Sequence, residues 1–332
     1  MKRQEPTFYD NHPFDWTEGY SLPELDATLA PPLRSFIEDV PSDALVLDIG
    51  CGSGRVTACL AARRLRCVGL DVSGASVRLM MERTGTGGVV ADGQGLPFAD
   101  GSADRVIADG VIHHSGDPFG AFAESCRVLK SGGLFYAAVY KPGGRYQRLY
   151  QFPGSVIRWL IPYKLGRALI HTTLLPIYYL VHLVKSRGKR SWHGANNLFY
   201  DYFVTPCVRF LSCNELEQWS KQCGVEIVNY NPNPGLNVHS FLLQKPARTV
   251  QVAEAAAPHV GSARPDTNEV ATQARRWHYT YSTRRGTGFS PMWLMAIARP
   301  EKCEGMAMPP TWPIARDHGP QNAIRLWRPM TK

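Results

Sequence analysis

The chain has 332 residues, 44% hydrophobic and 20% charged, a balance that supports a sizeable core and argues against global disorder. Formal net charge is +9, yet no Asp or Glu occurs from Ser125 to Tyr200, where twelve Lys or Arg fall. Such a run is either an ordinary solvated face or a positive surface for an acidic substrate, a membrane or RNA. The opening MKRQEPTFYDNHPFDW has no apolar h-region, so no secretory signal is expected. Eight cysteines form no CxxC pair and no metal-ligand spacing, which reads as reduced thiols in a cytoplasmic protein without a metal site.

Residues 1–43 read as an N-terminal cap segment, with Phe8, Tyr9, Phe14, Trp16 and Tyr20 along it and a helix after Pro31-Pro32. A regular alternation then begins. ALVLDI (44–49) is a buried strand and GRVTACLAARR a helix; RCVGLDV (66–72) is a second strand, followed by a helix capped by Ser73. Strands at 87–93 and 104–111, a helix at 118–130 opening on Pro118, and a strand at 132–140 follow. Strands alternating with helices of about ten residues predict a doubly wound parallel α/β sheet covered on both faces.

The alternation fills 44–141 and breaks in 142–205, a basic, aromatic stretch read as a helical insertion capping the sheet's ligand edge. Within it LLPIYYLVHLV (174–184) is only eleven residues, short of the roughly 20 needed to span a bilayer. The core resumes over 206–246, with a helix at 212–224 between Ser212 as cap and Gly224 as terminator, and strands at 225–230 and 237–245. A short loop joins those strands, so they form an antiparallel hairpin. Residues 247–332 read as a Pro-rich linker and tail, with one ordered element at 290–300 and no indicated role.

The segment DIGCGSG sets Gly50, Gly52 and Gly54 where a strand turns into a helix at the carboxyl edge of the sheet. Glycine there admits positive φ and brings backbone N–H groups against a ligand. The spacing is G-x-G-x-G with Arg55 in place of a third dinucleotide glycine, and no Lys-Ser/Thr follows as in a phosphate loop. Cys51 is either a nucleophile or a small residue tolerated where backbone meets ligand.

VLDIGCGSG resembles motif I of the class I S-adenosylmethionine-dependent methyltransferases, and further motifs arrive in order. GLDVS places Asp71 and Val72 at the end of the second strand, where the family's acidic residue takes the ribose hydroxyls. ADGQGLPF places Asp92 and Gly93 where the adenine amino group is met, and DGVIHHSGDP is similar to the quinone-biosynthesis branch. The resemblance covers about residues 40–140 closely and 205–245 loosely. It implies a Rossmann-like seven-stranded sheet, S-adenosylmethionine as cofactor, and Asp48, Gly50, Cys51, Gly52, Gly54, Asp71, Val72, Asp92, Gly93, Asp109 and Gly110 as its binding residues.

The residue chemistry allows this and leaves alternatives. A carboxylate accepts two hydroxyls in a fork, which suits Asp71, though it also stands where it can cap the next helix. Asp48 orients the loop and the cofactor's amino acid end, or is a solvated strand end; Asp92 meets adenine, or is a turn residue. His113 and His114 are candidate general bases, or one of them packs under the cofactor. Trp16, Trp192, His193, Asn197, Tyr200 and Tyr202 are candidate substrate contacts, or aromatic core. The reading is methyl transfer to oxygen or carbon of a small amphipathic or acidic metabolite, with peripheral membrane contact by residues 156–184 compatible. The rivals are RNA methylation through the basic insertion and a non-catalytic S-adenosylmethionine-binding subunit.

Overall fold

The computed structural model of the chain describes residues 6–15 and 19–247. Trp16 and the tail from residue 248, with the element expected at 290–300, lie outside the described residues. Among the described residues seven strands form one sheet: β1 (Leu45–Ile49), β2 (Arg66–Asp71), β3 (Gly87–Val90), β4 (Ala103–Asp109), β5 (Leu129–Tyr140), β6 (Glu226–Asn231) and β7 (Val238–Gln244). Their order is β3-β2-β1-β4-β5-β7-β6. All five residues of β1 are buried between β2 and β4, both parallel to it. A strand covered on both faces needs no alternation, hence the near-continuous apolar run LVLDI. β7 runs antiparallel to β5 and β6, giving the terminal hairpin expected from the sequence.

The helices are α1 (Pro6–Asn11), α2 (Leu22–Thr28), α3 (Pro31–Glu38), α4 (Arg55–Ala62), α5 (Gly74–Thr84), α6 (Pro118–Val128), α7 (Arg145–Gln151), α8 (Pro153–Leu160), α9 (Lys164–Lys185), α10 (Trp192–Phe203) and α11 (Cys213–Cys223). Phe36 and Ile37 of α3 and Cys59 and Leu60 of α4 share a core with Val46, Ile107 and Tyr136 of the sheet. Phe122 and Cys126 of α6 and Leu216 of α11 share a second with Val106, Phe135 and Phe241. Local chemistry sets the helix limits. Ser73 Oγ accepts the Ser76 N–H at 3.1 Å and Gly85 closes α5 at φ +67°. Ser212 and Glu215 form a capping box on α11, and Gly224 ends it at φ +65°.

The insertion is four helices, α7 to α10, with a core of its own around Ile157, Ile170, Leu175, Phe199 and Tyr200. The eleven-residue estimate for its apolar run was too short. The upstream segment KLGRALIHTT continues the same helix, so α9 has 22 residues, long and apolar enough to cross a membrane by length and composition. Pro176 lies inside it and costs one backbone hydrogen bond without ending the helix.

The connection from β1 runs to β2 on one side, while β4 lies on the other. The strand order therefore reverses at β1, and the carboxyl ends of β1, β2 and β4 open the crevice where such sheets hold ligands.

Candidate functional site

A cavity of about 560 Å³ lies at that edge, lined by the glycine loop, the ends of β1, β2 and β4, the N-terminal segment and the insertion. The loop glycines carry its shape. Gly50, Gly52 and Gly54 have φ of +70°, +51° and +94°, a region that excludes most side chains. A Cβ on Gly50 would stand 2.3 Å from Val111 Cγ2, and one on Gly54 2.8 Å from Met80 Cγ. Gly50, Cys51 and Gly52 line the cavity; Gly54 lies behind it as the N-cap of α4. Burial and the carboxylates Asp71 and Asp48 push the Cys51 thiol well above its usual range, so it stays a protonated small wall residue.

Three carboxylates face this space from the strand ends. Asp48 is buried and accepts Thr57 Oγ1–H at 2.6 Å; burial raises its carboxyl to about 7 against that bond. Asp71 accepts the Gly52 N–H at 3.0 Å on one oxygen and the Ser73 N–H at 2.9 Å on the other. Burial lifts it to about 6 although both N–H groups favour the charged form. Asp71 thus braces the loop and begins the next turn, while each oxygen keeps a lone pair for a further donor. Asp109 is ion-paired with Arg55. The sequence marked Arg55 only as a departure from a dinucleotide pattern, yet it brings a cation into the cavity wall.

Val72, Gly93 and Gly110 also line the cavity. Asp92 does not: its carboxylate accepts the Gln94 N–H at 2.9 Å and the Gln94 side-chain amide at 3.1 Å, the geometry of a turn residue. The N-terminal segment straps the loop. The Asp10 carboxylate accepts from Ser73 Oγ at 2.9 Å and the Ala75 N–H at 3.2 Å, and Tyr9, Phe14 and Tyr20 reach the cavity.

The histidine pair is split. His113 is fully buried behind the wall, and its Nδ1 accepts the Tyr140 N–H at 3.3 Å. Burial, with the positive charge of neighbouring His114 and His239 opposed to it, holds His113 well below the usual range, so the ring is neutral. His114 lines the cavity; its Nδ1 lies 3.0 Å from the Cys207 carbonyl, and burial lowers it to about 4. That bond fixes the proton on Nδ1 and leaves Nε2 as the acceptor.

Of the insertion residues singled out from the sequence, Tyr202 lines the cavity, whereas Trp192, His193, Asn197 and Tyr200 do not. Trp192 is exposed and edge-on to Tyr179, and His193 is exposed and bonded to buried Asn197. Tyr200 is stacked at 3.9 Å on His12 and hydrogen-bonded to His171 at 3.0 Å. The cavity meets the other side of α10, through Leu198, Asp201 and Tyr202, and the end of α9, through His182, Lys185 and Ser186. Asp201 is the functional candidate that sequence reasoning missed. It is buried in the cap wall among Tyr140, Tyr146, Tyr178 and Tyr202, whose phenols burial and, to a smaller extent, its charge push upward, and burial raises its own carboxyl to about 7. The only signal was the i, i+3, i+4 spacing of 198, 201 and 202, which does not say which face of α10 turns inward.

Residues 47–137 match a family model described as a methyltransferase domain. A probable tRNA methyltransferase 9B of Mus musculus is 33% identical over 142 residues, 42% of this chain and 30% of that protein. An uncharacterized methyltransferase of Mycobacterium sp. (strain JLS) is 34% identical over 117 residues, 35% of this chain and 46% of that protein. The match therefore spans less than half of each of these curated relatives. A solved S-adenosylmethionine-dependent methyltransferase of Methanosarcina mazei is similar at 20% identity and a TM-score of 0.42, over 66% of this chain and 99% of that one.

Proposed function

Residues 47–137 match a model described as a methyltransferase domain, and we propose that the chain is a class I S-adenosylmethionine-dependent enzyme that methylates oxygen or carbon of a small amphipathic or acidic molecule held under the helical cap. The observation that carries this reading is the shared cavity. One cavity of small-molecule size is walled on one side by Gly50, Gly52 and Asp71 and on the other by Leu198, Asp201 and Tyr202.

The residues fit the cofactor. Asp71 offers a free lone pair on each oxygen to a ribose diol, and Asp48, Asp109 and Arg55 offer opposite charges to the ammonium and carboxylate of the methionine end. When bound, the cofactor supplies an electrophilic methyl on a sulfonium, which needs no further activation. The chain's own work is to align the acceptor, exclude water and take a proton. Asp201 suits the last task, because a carboxyl near 7 is ionised in part at neutral pH and basic enough to accept from a hydroxyl. His114, at about 4, is the weaker base and better suited to orient the acceptor. Tyr140 and Tyr202 beside Asp201 give an aromatic wall with hydroxyl donors.

A second reading is favoured by the name of the mouse relative and by the twelve basic residues in an acid-free stretch: a base extruded from RNA enters the same cavity. The test separates the two. The full chain is incubated with methyl-tritiated S-adenosylmethionine and either a small-molecule extract or total tRNA, with Asp71→Ala as the binding-deficient control. Label in the organic phase, lost in the control and reduced at least about a hundredfold in Asp201→Asn, supports a small hydroxyl acceptor. Label that RNase releases moves the reading to RNA.

A further inference from the structure

The cap carries a second feature that the cavity does not use. From Phe152, which caps α8, along α8 and α9, the side chains of Phe152, Trp159, Leu165, Ile177, Leu180 and Val184 are between 59% and 84% exposed. Isolated exposed apolar residues are ordinary, but these lie on consecutive elements on the outside of the cap. The inner side of α9 is occupied: Gly166, Ile170 and Leu175 are buried, and Tyr178 packs edge-on against Phe199 of α10. The outer side is open along a helix of 22 residues, about 33 Å long.

Charge identifies what this face meets. Lys164 and Lys185 bound the apolar run at its two ends, and Arg167 and Arg187 are exposed beside them. No carboxylate occurs from residue 125 to 200 to offset them. Trp159 and Tyr163 form an exposed edge-on pair at 6.0 Å, two ring types that favour the level of lipid headgroups. Aliphatic side chains in the middle, aromatics at one end and long cations around them match the depth profile of one leaflet. RNA accounts for the cations and rings but leaves Leu165, Ile177, Leu180 and Val184 facing water, since aliphatic side chains neither stack on bases nor bond to phosphate.

We infer that the outer face of α8 and α9 is a docking surface for an anionic lipid bilayer, on which α9 lies in the plane of the interface. The helix does not cross, because its inner side is packed on α10 and its exposed cations border the apolar face. Lys185 belongs both to the rim of this face and to the wall of the cavity, so docking sets that wall at headgroup level. The inference does not depend on which acceptor is methylated.

The test is flotation of the full chain with vesicles of phosphatidylcholine, alone or with 30 mol% phosphatidylglycerol. Binding to the anionic vesicles is expected, weakened by high salt and reduced at least about tenfold in Ile177→Gln/Leu180→Gln/Val184→Gln. Because that variant removes apolar side chains only from the exposed side, its affinity for S-adenosylhomocysteine serves as the check on folding. A second measurement needs no destabilising change: brominated lipid should quench the fluorescence of the wild-type chain, and less so in Trp159→Phe. Absence of flotation with either vesicle overturns the inference, as does flotation unchanged in the triple variant. Retention by tRNA without flotation would assign the face to nucleic acid, and self-association that the triple variant abolishes, without flotation, would assign it to a second copy.

Discussion

At the scale of single residues, the site stores carboxylates in a state that its ligands are positioned to change. Asp71 stands near 6 because burial outweighs the two N–H groups it accepts. Hydroxyl donors favour the carboxylate, so ligand binding lowers that value and expels the proton wherever Asp71 was protonated. The sign follows. Above about 7 Asp71 is already ionised and affinity is flat; as pH falls through 6 affinity declines, reaching about a tenfold loss near pH 5 from this group alone. Calorimetry of S-adenosylhomocysteine in two buffers of different ionisation enthalpy should show proton release near pH 6 and little from Asp71 at pH 8; equal affinity at pH 5 and 8 would refute the assignment. Asp201 predicts the activity profile. In its proposed role as the base, with its carboxyl raised to about 7, it is inactive when protonated, so turnover should climb with pH through that value and Asp201→Asn should lose the limb.

At the scale of elements, much of the sheet was legible because its signals are local. Ser73 and Ser212 cap helices at the positions their spacing indicates, and Gly85 and Gly224 end them in the left-handed region. The glycine loop was legible for the same reason: only residues without Cβ fit φ of +51° to +94° against Val111, Phe14 and Met80. The cap was not, since its inward face depends on a partner surface far away in sequence. Tyr200 and Asn197 went into packing while Leu198, Asp201 and Tyr202 went to the cavity, and no local pattern distinguishes the two sides of so aromatic a helix. The strap over the loop was equally hidden. Ser73 both caps α5 and donates to the Asp10 carboxylate 63 residues away, a contact that a capping pattern does not reveal. Ser73→Ala should therefore cost about 1–2 kcal/mol by urea unfolding, from the lost cap together with the strap bond. It should also loosen residues 9–15 in hydrogen exchange. A loss confined to the amides of α5, with the strap unchanged, would reduce Ser73 to an ordinary cap.

At the scale of the whole molecule, the two halves of the cavity rest largely on different cores, and on the proposed reading this separates binding the cofactor from holding the acceptor. The loop and its carboxylates stand on the sheet, whose two faces are filled by residues such as Ile107 and Tyr136 on one side and Phe122 and Phe135 on the other. The cap wall stands chiefly on Ile157, Ile170, Leu175 and Phe199, a cluster that includes no strand residue, while Tyr202 and Tyr146 tie it to Tyr140 of β5. Phe199 touches Tyr178, Tyr200 and Phe203 through its ring, with centroids 5.1 to 6.2 Å apart. Phe199→Ala should remove about 3–5 kcal/mol of packing from the cap while leaving both sheet cores intact. The expected result is faster exchange at the amides of α8 to α10, unchanged protection in β1 and β4, and affinity for S-adenosylhomocysteine within about twofold of wild type. Gly50→Ala is the reciprocal case, since its Cβ would fall 2.3 Å from Val111 Cγ2 at φ +70°: affinity for the cofactor product should collapse with the cap amides unaltered. If Phe199→Ala weakened that affinity as much as Gly50→Ala, the cap and the loop would form one cooperative unit, and the acceptor side could not vary while the cofactor side stays fixed.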